Sequence, residues 1–334
     1  MTPRLFTRTA VAGASALLVA TSLVACANTA GADSSASADC ESVTTIGFSH
    51  SVSEAEVVKS LKEYLRVKAA ENGCIEMLFD STTGNNLETQ RAAIETWVTQ
   101  GIDAIVVSPV DPSALEGLRT QAQEKGTKWI SYALPWEGAD GMAGIDSDAS
   151  GTMVGEAAAE WIEEFHPDGD VSAAVTTLTP LAAVAGGRWT IPIEIIEATD
   201  VPIVSEQDCA DQACGLEITE SLLRRHPDLR VFVGFNDDAA LGAITAFKNA
   251  GIPLDEVFIA GQDGSRGALL AVQEGTMNIT AAVGLEDVAD TILQVTLNAI
   301  NGSGETVLAT VAQPATLADP ELLERLLAQF EQLG

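Results

Sequence analysis

Apolar positions along this chain follow two alternating patterns. Short unbroken runs of Val, Ile, Ala and Phe give way to longer segments in which apolar residues recur every three or four positions. The first pattern predicts strands buried on both faces, and the second predicts helices with one apolar face. From Val43 the predicted order is a strand over 43–48, a helix burying Val57, Val58, Leu61, Tyr64 and Leu65, and a strand over 75–79. A helix over 87–100, a strand over 104–107, a helix opened by Pro112, and strands over 128–134 and 142–145 come next. A second series then begins. It comprises a helix over 152–165, a strand over 171–178, a helix over 188–198 with Pro192 placed in its first turn, a strand over 201–204, and a helix ending at Arg225-His226-Pro227. The most legible unit spans 231–264, where a strand ends at Asn236-Asp237-Asp238, a helix carries Leu241, Ile244, Ala246 and Phe247, and a second strand closes at Gly261-Gln262-Asp263-Gly264. A strand over 279–283, a helix over 286–300, an extended piece near 307–311 and an amphipathic helix over 320–333 complete the series.

Strands joined by helical crossovers of this length pair in parallel, and the crossover is right-handed. The fold class is therefore α/β, with two doubly wound parallel-sheet lobes. In such sheets ligands bind just beyond the carboxyl ends of the strands. Asn236 and Asp263 stand at two such ends, one crossover apart, with Gln262 beside the carboxylate. An amide that donates and accepts, next to a carboxylate that accepts, suits a neutral ligand rich in hydroxyls. The competing reading is that Asn236 only caps a helix and Asp263 only turns a loop.

The amino terminus has a different character. Arg4 and Arg8 precede an apolar run over 10–25 that ends Leu23-Val24-Ala25-Cys26. The order of charge, apolar run, small residues and cysteine matches a bacterial lipobox, with a signal peptide over 1–25 and lipidation at Cys26. A polar, aperiodic tether over 26–39 follows, so the remainder is expected at the extracytoplasmic face of the cell membrane, lipid-anchored. Cys40, Cys74, Cys209 and Cys214 remain, an even number for an oxidising compartment. Pairs Cys40–Cys74 and Cys209–Cys214 are expected out of three possible pairings. A metal site is disfavoured by the spacing. The formal charge of −31 becomes −33 once Arg4 and Arg8 leave with the acid-free first 25 residues. A field of that sign repels nucleic acid.

Several segments together carry a family resemblance. IGFSHSVSEAEVVKSLKEYL, GIDAIVVSPVDPSAL, GIDSDASGTMVGEAAAEWI, HPDLRVFVGFNDDAALGAITAFKNAG and IAGQDGSRGALLAVQEG resemble the sugar-binding receptors of bacterial ABC importers, of the ribose-, allose- and galactose-binding type. The resemblance implies the type I periplasmic-binding-protein fold, with a three-segment hinge crossing near Asp146, Gly284 and Val311. The first lobe would then comprise 40–146 plus 285–311, and the second 147–284 plus 312–334. It also implies that Asn236 and Asp263 contact sugar hydroxyls, that Asp111 lies near the first-lobe rim, and that Arg188 retains a family arginine. Two family features are replaced. The asparagine and aromatics after the first strand become Glu54, Ala55, Glu56, Val57 and Val58, and an Asp-Arg pair after the fourth strand becomes Ala133-Leu134.

A sugar site also needs an aromatic face. Trp136 and Trp189 are placed to offer one from each lobe, and His50 follows the first strand on the same side. No nucleophile elbow, zinc-protease helix, phosphate loop or dinucleotide fingerprint is present. The sequence thus predicts a non-enzymatic, cofactor-free monomer that captures a sugar or polyol and hands it to an ABC permease with its ATPase subunits. The alternatives are a sensing subunit for a membrane signalling partner, a binder of a non-sugar small molecule, or a secreted hydrolase with two carboxylates across the cleft.

Overall fold

The computed structural model describes residue 40 and residues 42–331. The signal, Cys26 and the tether lie outside the described residues. The first sheet uses β1 (Thr44–His50), β2 (Ile75–Phe79), β3 (Ala104–Ser108), β4 (Lys128–Tyr132) and β5 (Gly141–Ile145). The second uses β6 (Ser172–Thr177), β7 (Ile203–Asp208), β8 (Leu229–Val233), β9 (Phe258–Asp263) and β10 (Ile279–Ala282). Late in the chain β11 (Val307–Thr310) joins the first sheet and β12 (Gln313–Ala315) joins the second. The orders are β11-β5-β4-β3-β1-β2 and β12-β10-β9-β8-β6-β7, with every pairing parallel except β10 with β12. Both lobes therefore repeat one winding. In each, the strand order reverses between the first and third strands, which opens a crevice beyond β1 and β3 in one lobe and β6 and β8 in the other.

Helices α1 (Glu56–Asn72), α2 (Leu87–Gln100) and α3 (Pro112–Glu124) flank the first sheet. Around the second lie α4 (Ser147–Phe165), α5 (Ala182–Ala185), α6 (Gly187–Glu197), α7 (Gln212–Arg225), α8 (Asp237–Asn249) and α9 (Arg266–Gln273). Helix α10 (Leu285–Asn301) returns to the first lobe, and α11 (Pro320–Ala328) packs against α9. The chain thus changes lobes at three places: Asp146, Gly284, and Val311–Ala312. The two-lobed, doubly wound architecture expected from the sequence pattern is the one observed.

Local chemistry explains where strands become helices. Asp111, Asp146 and Asn236 each leave a strand in extended backbone and accept a main-chain N–H of the following first turn. Both expected disulfides are present, with Cα separations of 5.6 Å for Cys40–Cys74 and 5.8 Å for Cys209–Cys214.

Several boundaries differ from expectation, and α4 starts at Ser147 rather than 152 because Asp146 caps it. β4 stops at Tyr132 because Ala133 takes φ 65°, outside the strand region. β7 runs on to Asp208, held by pairing with β6 through Thr177. α11 ends at Ala328, and residues 332–334 lie outside the described residues. Pro192 falls beyond the first turn, inside α6, because that helix begins at Gly187.

Helices α7 and α8 of the second lobe pack in close approach. A Cβ on Gly215 of α7 would collide with the carbonyl oxygen of Ala239 in α8, and one on Gly242 of α8 with that of Gln212. Carbonyls on a helix cannot move aside as a flexible side chain can. Gly215→Ala is therefore expected to destabilise the chain by about 1–3 kcal/mol. The check is a thermal melt, and an unchanged midpoint would refute the close packing of α7 on α8.

Candidate functional site

The first-lobe wall starts from a buried carboxylate. Asp80, just past β2, accepts from Ser49 Oγ at 2.7 Å, from Thr82 Oγ1 at 2.6 Å and from Ser53 Oγ, while Lys62 Nζ donates to its backbone carbonyl at 2.8 Å. Gln90 extends the network by donating to Ser49 Oγ and the Ser108 carbonyl and accepting from Val110 N–H. The loop after β1 is thereby tied to the ends of β2 and β3.

His50 rides on that loop. Its ring lies 5.9 Å from Tyr132 and 6.3 Å from Phe48, and Nδ1 accepts from Val52 N–H at 3.1 Å. Nδ1 is therefore unprotonated, and Nε2–H is the ring's donor. Burial lowers the imidazole pKa to about 4, with Lys62 adding to the effect and Asp80 opposing it. His50 is thus a neutral hydrogen-bonding group at ordinary pH.

The second-lobe wall centres on Arg188 and Asp263. Their Nη1 and Oδ1 are 2.6 Å apart, and the guanidinium stands 5.5 Å from the Phe235 ring centroid. Arg188 is 6% exposed, whereas the Asp263 side chain is 45% exposed. Asp263 takes φ 111°, a region that L residues other than glycine rarely enter. Backbone strain of this kind persists where the surroundings over-determine it, and such positions cluster at binding sites.

Asp237 lies behind this pair, 2% exposed. It accepts from Thr280 Oγ1 at 2.7 Å and from Ser265 N–H at 2.6 Å, which ties α8 to β10 and to the loop after β9. Burial, then the nearby Asp263, raise its pKa to about 7 against those two donors. Burial also raises the Tyr132 phenol, and so does Asp263 from the opposite lobe. The structure therefore brings His50 and Tyr132 of one lobe towards Arg188 and Asp263 of the other.

Comparison with known proteins identifies the family of the chain. Residues 46–304 match the family described as periplasmic binding protein domain. The chain belongs to that family. The ribose import binding protein of Bacillus subtilis is 26% identical over 243 residues, covering 71% of this chain and 75% of the relative. The D-xylose-binding periplasmic protein of Escherichia coli is 25% identical, covering 71% and 72%. Among solved structures, an ABC transporter solute-binding protein from Bacillus halodurans with bound myo-inositol superposes with a TM-score of 0.70 at 25% identity, covering 87% of this chain and 100% of its own. A periplasmic ribose ABC transporter protein from Conexibacter woesei has a TM-score of 0.72 at 22% identity, covering 84% and 95%, and shares the fold. This periplasmic binding protein is a receptor and not an enzyme.

The expected site residues divide into three groups. His50, Arg188 and Asp263 form the walls just described. Asn236 and Asp111 sit at strand ends but are engaged as caps: Asn236 Oδ1 accepts from Ala239 N–H while Nδ2 donates to the Ala210 carbonyl, and Asp111 Oδ1 takes Ser113 and Ala114 N–H. The other three are away from the cleft surface. Trp136 packs edge-on against Trp129 at 5.2 Å and donates to Glu116, on the flank of α3. Trp189, 6% exposed, backs Phe235 at 5.9 Å. Gln262 is wholly buried and donates to main-chain carbonyls. Its place in a strand that is covered on both faces puts its side chain inside the lobe rather than in the cleft.

Tyr132 and Phe235 escaped the sequence reading. The signal for both was an aromatic residue at or just past the carboxyl end of a predicted strand, the tyrosine bearing a hydroxyl.

Opposite pKa shifts give a two-sided test. Protonation of Asp237 favours the folded chain; that contribution is full below about pH 4 and lost as pH rises through 7. Neutral His50 contributes above pH 6.5, and that contribution is lost as pH falls through about 4. Asp237→Asn should gain on the parent as pH rises from about 4 to 7, by up to ~1.4 kcal/mol per pH unit. His50→Gln should gain on it as pH falls from 6.5 to about 4. Denaturant melts across this range provide the measurement, and parallel curves for parent and variants would contradict the assignment.

Proposed function

We propose that this chain is an extracytoplasmic lipoprotein that captures a sugar or polyol between its lobes and delivers it to an ABC importer. The carrying observation is the Arg188–Asp263 pair at the carboxyl edge of the second sheet, opposite His50 and Tyr132. A guanidinium beside a carboxylate offers donors and an acceptor to adjacent hydroxyls, and the aromatic rings suit the apolar side of a sugar ring. The named relatives that bind ribose, xylose or myo-inositol support this class of ligand. Closure of the lobes around the ligand follows from contacts made to both walls. Asn236 and Asp111 serve this reading as rim groups that keep the loop ends in place.

Lipidation at Cys26 and a monomeric receptor complete the proposal. The Leu23-Val24-Ala25-Cys26 motif supports the anchor. In a bacterial host Cys26→Ser should move the chain from the membrane fraction to the soluble one. Retention in the membrane fraction would refute lipidation as the anchor.

The ligand class is tested by thermal shift against pentoses, hexoses, polyols, amino acids and nucleosides. Ligand at a hundred times its Kd adds about 2.7 kcal/mol of stability. A sugar or polyol is expected to raise the melting temperature of the parent by several degrees and to leave Asp263→Ala unshifted although folded. A shift with amino acids or nucleosides alone, or one retained in Asp263→Ala, would overturn the reading.

A further inference from the structure

Helix α6 contains a defect in its hydrogen bonding. In an α-helix the carbonyl of residue i accepts the N–H of residue i+4, so the acceptor four residues before Pro192 is the Arg188 carbonyl. Proline has no N–H, and that carbonyl is left without its helical donor. Gln262 supplies the replacement: its Nε2 donates to the Arg188 carbonyl at 2.9 Å and to the Gly234 carbonyl at 3.3 Å. Both partners are acceptors, which fixes the orientation of the carboxamide with its NH2 towards them. Its Oε1 has no partner among the described residues.

The same strand end therefore holds Arg188 twice. Gln262 takes the backbone carbonyl, and the next residue, Asp263, takes the guanidinium at 2.6 Å. Gly234, the second acceptor, immediately precedes Phe235, whose ring lies beneath the guanidinium at 5.5 Å. One buried carboxamide thus sets the root of the arginine and the root of its aromatic support. Pro192 is itself seated by α4, where Gly151 and Gly155 leave room: a Cβ on either would stand 3.3 Å from Pro192 Cδ and 3.0 Å from Pro192 Cα respectively.

We infer that Gln262 and Pro192 act together as a positioning device for Arg188, with proline vacating the carbonyl that the glutamine grips. Gln262 touches no ligand in this scheme; it acts through the arginine. The effect on affinity rests on the sugar-receptor reading above, whereas the effect on the arginine itself does not.

The experiment is a double-mutant cycle on the full chain with two readouts. One is the Kd for whichever panel sugar or polyol the parent binds. The other is the exchange of the Arg188 side-chain Nε–H, followed by 15N NMR without ligand. Gln262→Leu leaves a buried carbonyl unpaired and frees the arginine, so it should weaken binding by about tenfold or more and speed exchange. Pro192→Ala restores the helical N–H and should leave both readouts near the parent. The double variant should recover most of the loss, because the new N–H replaces the missing glutamine. Rescue is the signature that loss of packing alone does not give.

If Gln262→Leu fails to fold, Gln262→Met supplies a side chain of similar length without donors. Parent-like behaviour of the Gln262 variant, or a loss equally deep with and without Pro192→Ala, would overturn the inference. Should the parent bind none of the sugars or polyols, the proposed function fails, and the Arg188 exchange cycle still decides this inference.

Discussion

A carboxylate removed from water has to collect hydrogen-bond donors, and each lobe uses that requirement to fix the loops at the carboxyl edge of its sheet. Asp80 gathers Ser49, Ser53 and Thr82 in the first lobe, and Asp237 gathers Thr280 and the Ser265 amide in the second. Loops at strand ends would otherwise be the most mobile parts of a doubly wound sheet. Here they are bound to a buried charge or a buried acid, and the groups they carry towards the cleft inherit that order. His50 depends on the first anchor. Asp263, the last residue of β9 and two before the Ser265 amide, depends on the second.

The two anchors are not equivalent electrically. Burial, with the nearby Asp263 adding to it, lets Asp237 hold its proton up to about pH 7. Asp263 keeps company with Arg188 and remains at the surface. This division leaves an accessible carboxylate in the second wall, beside a guanidinium. The left-handed backbone at Asp263 belongs to the same arrangement. A glycine would relieve that strain but would also leave a nearly buried arginine without its counter-ion. The strain belongs to the binding geometry proposed above.

Much of this was legible beforehand. Strand ends were marked by Asn236 and Asp263, a helix start by Pro112, and repeated strand–helix alternation required two parallel sheets. Asp263 was singled out by its place at the end of a parallel strand, where the crevice of such a sheet opens, and Arg188 only through the family resemblance. The tryptophans were less readable. An aromatic residue near a strand end can turn to the cleft or to the flank, and Trp136 turned to the flank because Trp129 offered an edge and Glu116 an acceptor. Gln262 was read at the correct strand end but not on the correct side of the surface, since its burial depends on α6 covering it.

The sequence by itself determined the elements, their parallel pairing and the family, because hydrophobic period and capping residues act over a few neighbouring positions. Tertiary structure alone decided which polar groups are free and which are consumed. Asn236 spends its amide on Ala239 and Ala210, Gln262 on Arg188 and Gly234, and Tyr132 and Phe235 become walls only when the two sheets are packed. Apart from the local Ala239 cap, these outcomes depend on partners far along the chain, 26 residues for Asn236 with Ala210 and 74 for Gln262 with Arg188. No local pattern records contacts made over that separation.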